Sequence, residues 1–270
     1  MQTLTDTFAL SRNRARATES FLRERVAGNV QERLEEINRS FTSPLIVTPT
    51  PSIWSGILPS APTIPDTETL PVNEAVHDLL IHDLSLHWAN DLVGQLVQSR
   101  IALAPDGLFI GTLFGGQTLH QLRTCLAEAE SRLTGGLSPR IAPMGEIRDL
   151  GGLLQRAGFA LPVADSDTVN ISYADAFALM RDLRAMGEAN ALHSRLRHPT
   201  RRHVLQHAAG LYAQHFTGAD GRITATFEVV TLTGWAPAAS QQQPLRPGSA
   251  TARLADALGT AETPLKPQGN

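Results

Sequence analysis

Apolar side chains recur at helical spacing early in the chain. Leu22, Val26, Val30, Leu34 and Ile37 lie three or four residues apart, while Gln31, Glu32, Glu35 and Glu36 fill most positions between them. This pattern predicts an amphipathic helix over 18–38. The short run Leu45-Ile46-Val47 then reads as a strand. From Thr48 to Pro71 the periodicity stops, because Pro49, Pro51, Pro59, Pro62, Pro65 and Pro71 fall within 24 residues. Such density predicts no helix and at most short edge strands. Residues 76–84 are apolar at most positions, as in a strand covered by helices on both faces.

The same reasoning orders the rest of the chain. Asn90 stands where it can cap a helix whose inner face is Leu92, Leu96, Val97 and Ile101. Pro105-Asp106-Gly107 reads as a turn before a strand over 108–114. Gly115-Gly116 lets the chain pivot into a helix that carries Leu119, Leu122, Leu126 and Leu133 on one side. A helix over 146–157 is closed by Gly158, and a strand over 161–172 follows. Helices over 173–186 and 200–216 precede a long strand over 222–235, rich in Thr, Phe and Val. The predicted organisation is a helical segment over 1–40, an α/β domain over 41–235 with a helical insertion at about 173–216, and a disordered tail over 236–270.

Composition narrows the function classes. A hydrophobic fraction of 42% over 270 residues can bury a full core. A net charge of −3 from 23 basic and 26 acidic residues gives no reason to expect nucleic acid as the main partner. Cys125 has no partner for an internal disulfide and suits a reducing compartment. No run reaches the ~18 apolar residues of a spanning helix. The arginines at 12, 14, 16, 23 and 25 lead straight into the first patterned helix, so they read as the start of the fold rather than as a transit peptide.

Several segments carry a family resemblance. Leu-Ser-Leu-His-Trp at 84–88, the Pro-Asp-Gly turn and Gly-Gly-Gln-Thr-Leu-His-Gln-Leu-Arg at 115–123 resemble class I S-adenosylmethionine (SAM) methyltransferases. Together with Asp-Thr-Glu-Thr-Leu-Pro at 66–71, Ser-Pro-Arg-Ile-Ala-Pro at 138–143, and the segments at 149–159 and 180–190, they resemble the branch of the complex I assembly-factor methyltransferase-like proteins. The resemblance implies an α/β, Rossmann-like fold: a mostly parallel sheet, an antiparallel last strand and a helical cap. It also implies SAM as cofactor and a protein substrate or assembly partner. The site would be a bacterial cytoplasm, or the mitochondrial matrix in a eukaryote. Cofactor contacts would come from Asp66, Glu68, Ser85, His87 and Trp88. The departures lie at the cofactor loop. After the first strand the chain reads Thr48-Pro49-Thr50-Pro51, with only Gly56 to echo a glycine loop. Residues 55–65 are too few for a whole helix and a second strand, so the fold should be incomplete, short of seven strands, and SAM binding weakened or lost.

Each candidate also has a plainer reading. Asp66 and Glu68 could be solvated acids in a proline-rich loop, and His87 and Trp88 core residues under the next helix. His77, His82 and His87 are five apart and cannot converge from one strand. His203 and His207 share a helix face but lack a third ligand, so no metal site is predicted. Arg140, after Ser138-Pro139, is a candidate contact for a protein partner. No catalytic residue is identified. The readings are a SAM-dependent transferase, a protein-arginine hydroxylase-like modifier, and a non-catalytic assembly scaffold.

Overall fold

The computed structural model describes residues 3–241 and Gly259; most of the tail expected over 236–270 lies outside the described residues. The helices are α1 (Thr7–Arg14), α2 (Phe21–Glu36), α3 (Pro51–Ile57), α4 (Leu92–Ala102), α5 (His120–Thr134), α6 (Ile147–Arg156), α7 (Ala176–Ala185) and α8 (Arg202–Phe216). The strands are β1 (Pro44–Val47), β2 (Thr63–Ile64), β3 (His77–His82), β4 (Leu103–Phe114), β5 (Ala160–Tyr173) and β6 (Ile223–Trp235).

The six strands form one sheet in the order β2-β1-β3-β4-β6-β5. Pairs β1–β2, β1–β3 and β3–β4 are parallel, and β6 runs antiparallel to both of its neighbours. Alternation along β3 divides its side chains between two layers. Leu79 and Ile81 pack with Ala27 and Val30 of α2 and Trp54 of α3, whereas Leu80 packs with Leu96 of α4 and Leu154 of α6. A third core joins α5, α7 and α8 to Phe227 and Val229 of β6. At the open β5 edge, Asp165 and Asp167 are ion-paired to Arg33 and Arg25 of α2.

Three local expectations are corrected. The proline-rich stretch holds a seven-residue helix, α3, and a two-residue strand, β2. Pro51 is tolerated because it lies in the first turn, where its missing N–H costs no helical bond, and residues 52–58 contain no proline. The αβ unit here is therefore shortened rather than excluded. Second, the Pro-Asp-Gly turn is a bulge inside β4. His77 faces Leu103 and Leu79 faces Leu108, so the extra residues loop out with Asp106 at φ 62° while pairing continues on both sides. Third, Asp91 caps α4, accepting from the Gly94 amide at 2.8 Å. Asn90 is engaged elsewhere.

Candidate functional site

A cavity of about 1120 Å³ opens at the carboxyl ends of β1, β2 and β3, the face on which open α/β sheets bind ligands. Pro49 follows β1 and Pro65 to Thr69 follow β2; His82 ends β3 with Ser85 just beyond it, and Trp88, Asn90, Gln95 and Gln98 lead into and along α4. Leu10, Ser11 and Arg14 of α1 close the remaining side.

The chain N-terminal to α1 is tied down by long-range bonds. Asn90 Oδ1 accepts from the amides of Leu4 and Thr5 at 2.9 and 2.8 Å, and the Asp6 amide donates to Ala191 O at 2.8 Å. Asp6 caps the helix through the Ala9 amide and also pairs with Arg195 and Arg197; these bonds hold its carboxyl well below the usual range. From the far end of α1, Arg14 Nη1 donates to both carboxylate oxygens of Asp66, at 3.0 and 2.8 Å.

Of the residues expected at the site, Asp66, Glu68, Ser85 and Trp88 line the cavity. Asp66 follows a strand paired directly to β1, and its carboxylate is already held by Arg14. Glu68 accepts from Asn90 Nδ2 at 2.8 Å. Ser85 is bonded to His82 at 3.1 Å. Trp88 is 6% exposed and donates its indole N–H to Glu188 Oε2 at 2.7 Å. His87 is not brought to the cavity. Its ring lies behind it, 4.6 Å from the Phe114 ring between centroids, because the 3-10 turn at Leu86–Trp88 rotates it inward. Gly56 makes no close approach: a Cβ there would meet nothing within 4 Å. At Gly115 and Gly116, by contrast, a Cβ would collide with Glu228 and Glu146 at 2.6 and 2.4 Å. Arg140 is an internal tie, bonded to Glu130 and to Thr200 Oγ1.

A buried polar network lies under the cavity floor. Glu188 Oε1 accepts from Arg23 at 3.0 Å, and its other oxygen meets Trp88 and His87. Burial pushes the Glu188 carboxyl up, but the His87 hydrogen bond and the charges of Arg23 and Arg14 outweigh it and hold the group well below its usual value. His87 Nδ1 accepts from the Phe114 amide at 3.5 Å, which assigns the ring proton to Nε2, facing Glu188 at 3.4 Å. Burial lowers the pKa of His87, against the raising influence of Glu188. Asp83 sits between Thr48 Oγ1 at 2.7 Å and Arg23 at 3.8 Å; burial pushes its pKa up despite both partners. The sequence marks Arg14 and Arg23 only as part of a basic start to the fold, not as site residues. The usable signal for α1 was Asp6, an N-cap residue directly before Thr7-Phe8-Ala9-Leu10.

The backbone at the end of β1 is already committed. Thr48 N donates to Ile64 O at 2.9 Å, Thr50 N donates to Thr48 Oγ1 at 3.0 Å, and Pro49 and Pro51 have no N–H. No described helix is long and apolar enough to cross a membrane. Among the described residues no three His, Cys, Asp or Glu side chains converge as a metal site.

A parallel sheet closed by one antiparallel strand, with its cavity at the carboxyl ends, is the class I methyltransferase fold in incomplete form. The YcgJ protein of Bacillus subtilis has a solved structure that superposes with a TM-score of 0.51 at 10% identity, covering 78% of this chain and 98% of that one. That likeness concerns the fold alone. In sequence, the chain is a homologue of the mitochondrial arginine-hydroxylase NDUFAF5 proteins. It is 40% identical over 212 residues to the human protein, covering 78% of this chain and 60% of that one. The rat protein is 41% identical over 201 residues, covering 74% of this chain and 58% of its own length. The malonyl-acyl-carrier-protein O-methyltransferase of Xylella fastidiosa is 37% identical over 172 residues, or 64% of this chain and 56% of that protein. The chain thus spans less than two thirds of these relatives. No family model matches it.

Proposed function

We propose that this chain is a methyltransferase-fold protein that acts on a protein partner in respiratory complex assembly, with SAM binding weakened or lost, and that it works chiefly as a binding or assembly module. One observation carries the reading: the turn after β1 has no N–H to offer, since two of its residues are proline and the other two amides are already bonded. Asp66 could clamp a ribose, but Arg14 already holds both of its oxygens. Losing a charge-assisted hydrogen bond costs roughly 1.5–3 kcal/mol, and the missing amide contacts add to it. At about 1.4 kcal/mol per decade, affinity should fall by roughly two orders of magnitude or more from that of a complete site.

Thermal unfolding with and without SAM tests this. A ligand at a hundredfold excess over its Kd stabilises a protein by about 2.7 kcal/mol, which moves Tm by several degrees. We expect a shift well below that size at millimolar SAM; a shift of that size would return the chain to the transferases.

The cavity itself favours a second reading, protein-arginine modification, the activity that the relatives' names carry. Its volume suits a side chain with a cofactor, and acids and an indole face it together. Either activity would fit a bacterial cytoplasm or a mitochondrial matrix. Incorporation of oxygen into a partner's arginine, detected by mass spectrometry, would favour this reading over the scaffold.

A further inference from the structure

A second concavity, about 350 Å³, lies on the seam between the end of α1 and the last turn of α7. Arg16, Arg181 and Arg184 line it together with Asn13 and Thr18, and no acidic residue is among its lining. Its rim is firmly built. Thr18 N donates to Ala185 O at 2.7 Å, Asn13 Nδ2 donates to Ala189 O at 3.0 Å, and Gly187 packs so closely that a Cβ there would meet Arg14 Cα at 3.1 Å. None of the three arginines takes part in an ion pair or side-chain hydrogen bond among the described residues. Nine other arginines do form ion pairs. What sets the seam apart is that three unpaired guanidiniums converge there with no carboxylate among the lining.

We propose that this concavity binds the multiply charged phosphoryl group of a small molecule. Guanidinium forks match phosphoryl oxygens in geometry as well as charge. Arg181 and Arg184 are three apart on α7 and share a face, and Arg16 reaches the same space from a different segment. The Thr18 hydroxyl adds a donor that no described group uses. Helix ends oppose the idea, because α1 and α7 both present carboxyl termini near the seam. Each such end carries about half a negative charge, so together they offset about one of the three positive charges. The balance stays positive. Arginine beside a helix carboxyl terminus is ordinary dipole compensation for any one of the three, but that does not account for their convergence from two segments with no carboxylate among the lining. The size and concavity favour a compact anion over an extended acidic peptide.

The test is calorimetric titration of the full chain with inorganic phosphate, inorganic pyrophosphate and poly-glutamate at one ionic strength. Three proteins are compared: the unaltered chain, Arg181→Gln/Arg184→Gln, and Arg148→Gln/Arg156→Gln on the exposed face of α6. The altered side chains are exposed, so melting curves without ligand should coincide. We expect one saturable site that prefers pyrophosphate to phosphate. It should weaken by about tenfold or more in the α7 variant and stay unchanged in the α6 variant. No pyrophosphate binding, equal weakening in both variants, or binding of poly-glutamate alone would each overturn the proposal.

Discussion

Glu188 joins the helical cap to the cavity wall through three donors: Arg23, Trp88 and His87. Glu188→Gln removes the negative charge while Arg23 stays buried, with Asp83 3.8 Å away as its other acid. Breaking one partner of a buried ion pair typically costs about 3–5 kcal/mol, so urea denaturation should show a loss of that order with an unchanged m-value. At His82, burial lowers the pKa to about 4 from 6.5. Between those values the unfolded chain binds more protons than the folded one. Stability from the neutral ring is therefore present above pH 6.5 and lost as pH falls towards 4, by roughly 3 kcal/mol in all. His82→Asn should unfold with a shallower dependence on pH across that window than the unaltered chain. Equal slopes would show that His82 is not the titrating group.

Among the elements, α1 was the least legible. Its buried residues are only Ala9 and Leu10, and its position is set by distant groups: Asn90, Ala191 and Asp66. Periodicity cannot see bonds that span scores of residues. The strand over 76–84 was legible because both of its faces are covered, and α2 because one apolar stripe repeats. The helix α3 was hidden by the prolines around it, although Trp54, 1% exposed, anchors it against Ile46 and Ile81. Trp54→Ala should therefore cost about 3–5 kcal/mol. At the site, Asp66, Glu68, Ser85 and Trp88 could be named from family-like segments, but the depth of His87 depends on a 3-10 turn that sequence spacing does not encode. Asn90→Ala would leave the Leu4 and Thr5 amides without their acceptor, at about 1–3 kcal/mol. We expect faster amide exchange in α1 with no change in β3; unchanged α1 protection would mean that other contacts hold this helix.

In the whole molecule, the sheet from β3 to β5 is intact, and the departures gather at the β2 edge. There the αβ unit has shrunk to seven helical residues and a two-residue strand. The contraction brings Asp66 to the cavity directly beyond β2, within reach of Arg14 from α1. The cavity survives, while the amides of Thr48 and Thr50 after β1 are used internally. The most direct measurement is calorimetric titration of the purified chain with SAM and S-adenosylhomocysteine, alongside a complete relative. We expect this chain to bind both at least roughly a hundredfold more weakly than the relative. Micromolar binding by this chain alone would contradict the account and show that the segment from Thr48 to Pro65 builds a substitute cofactor loop.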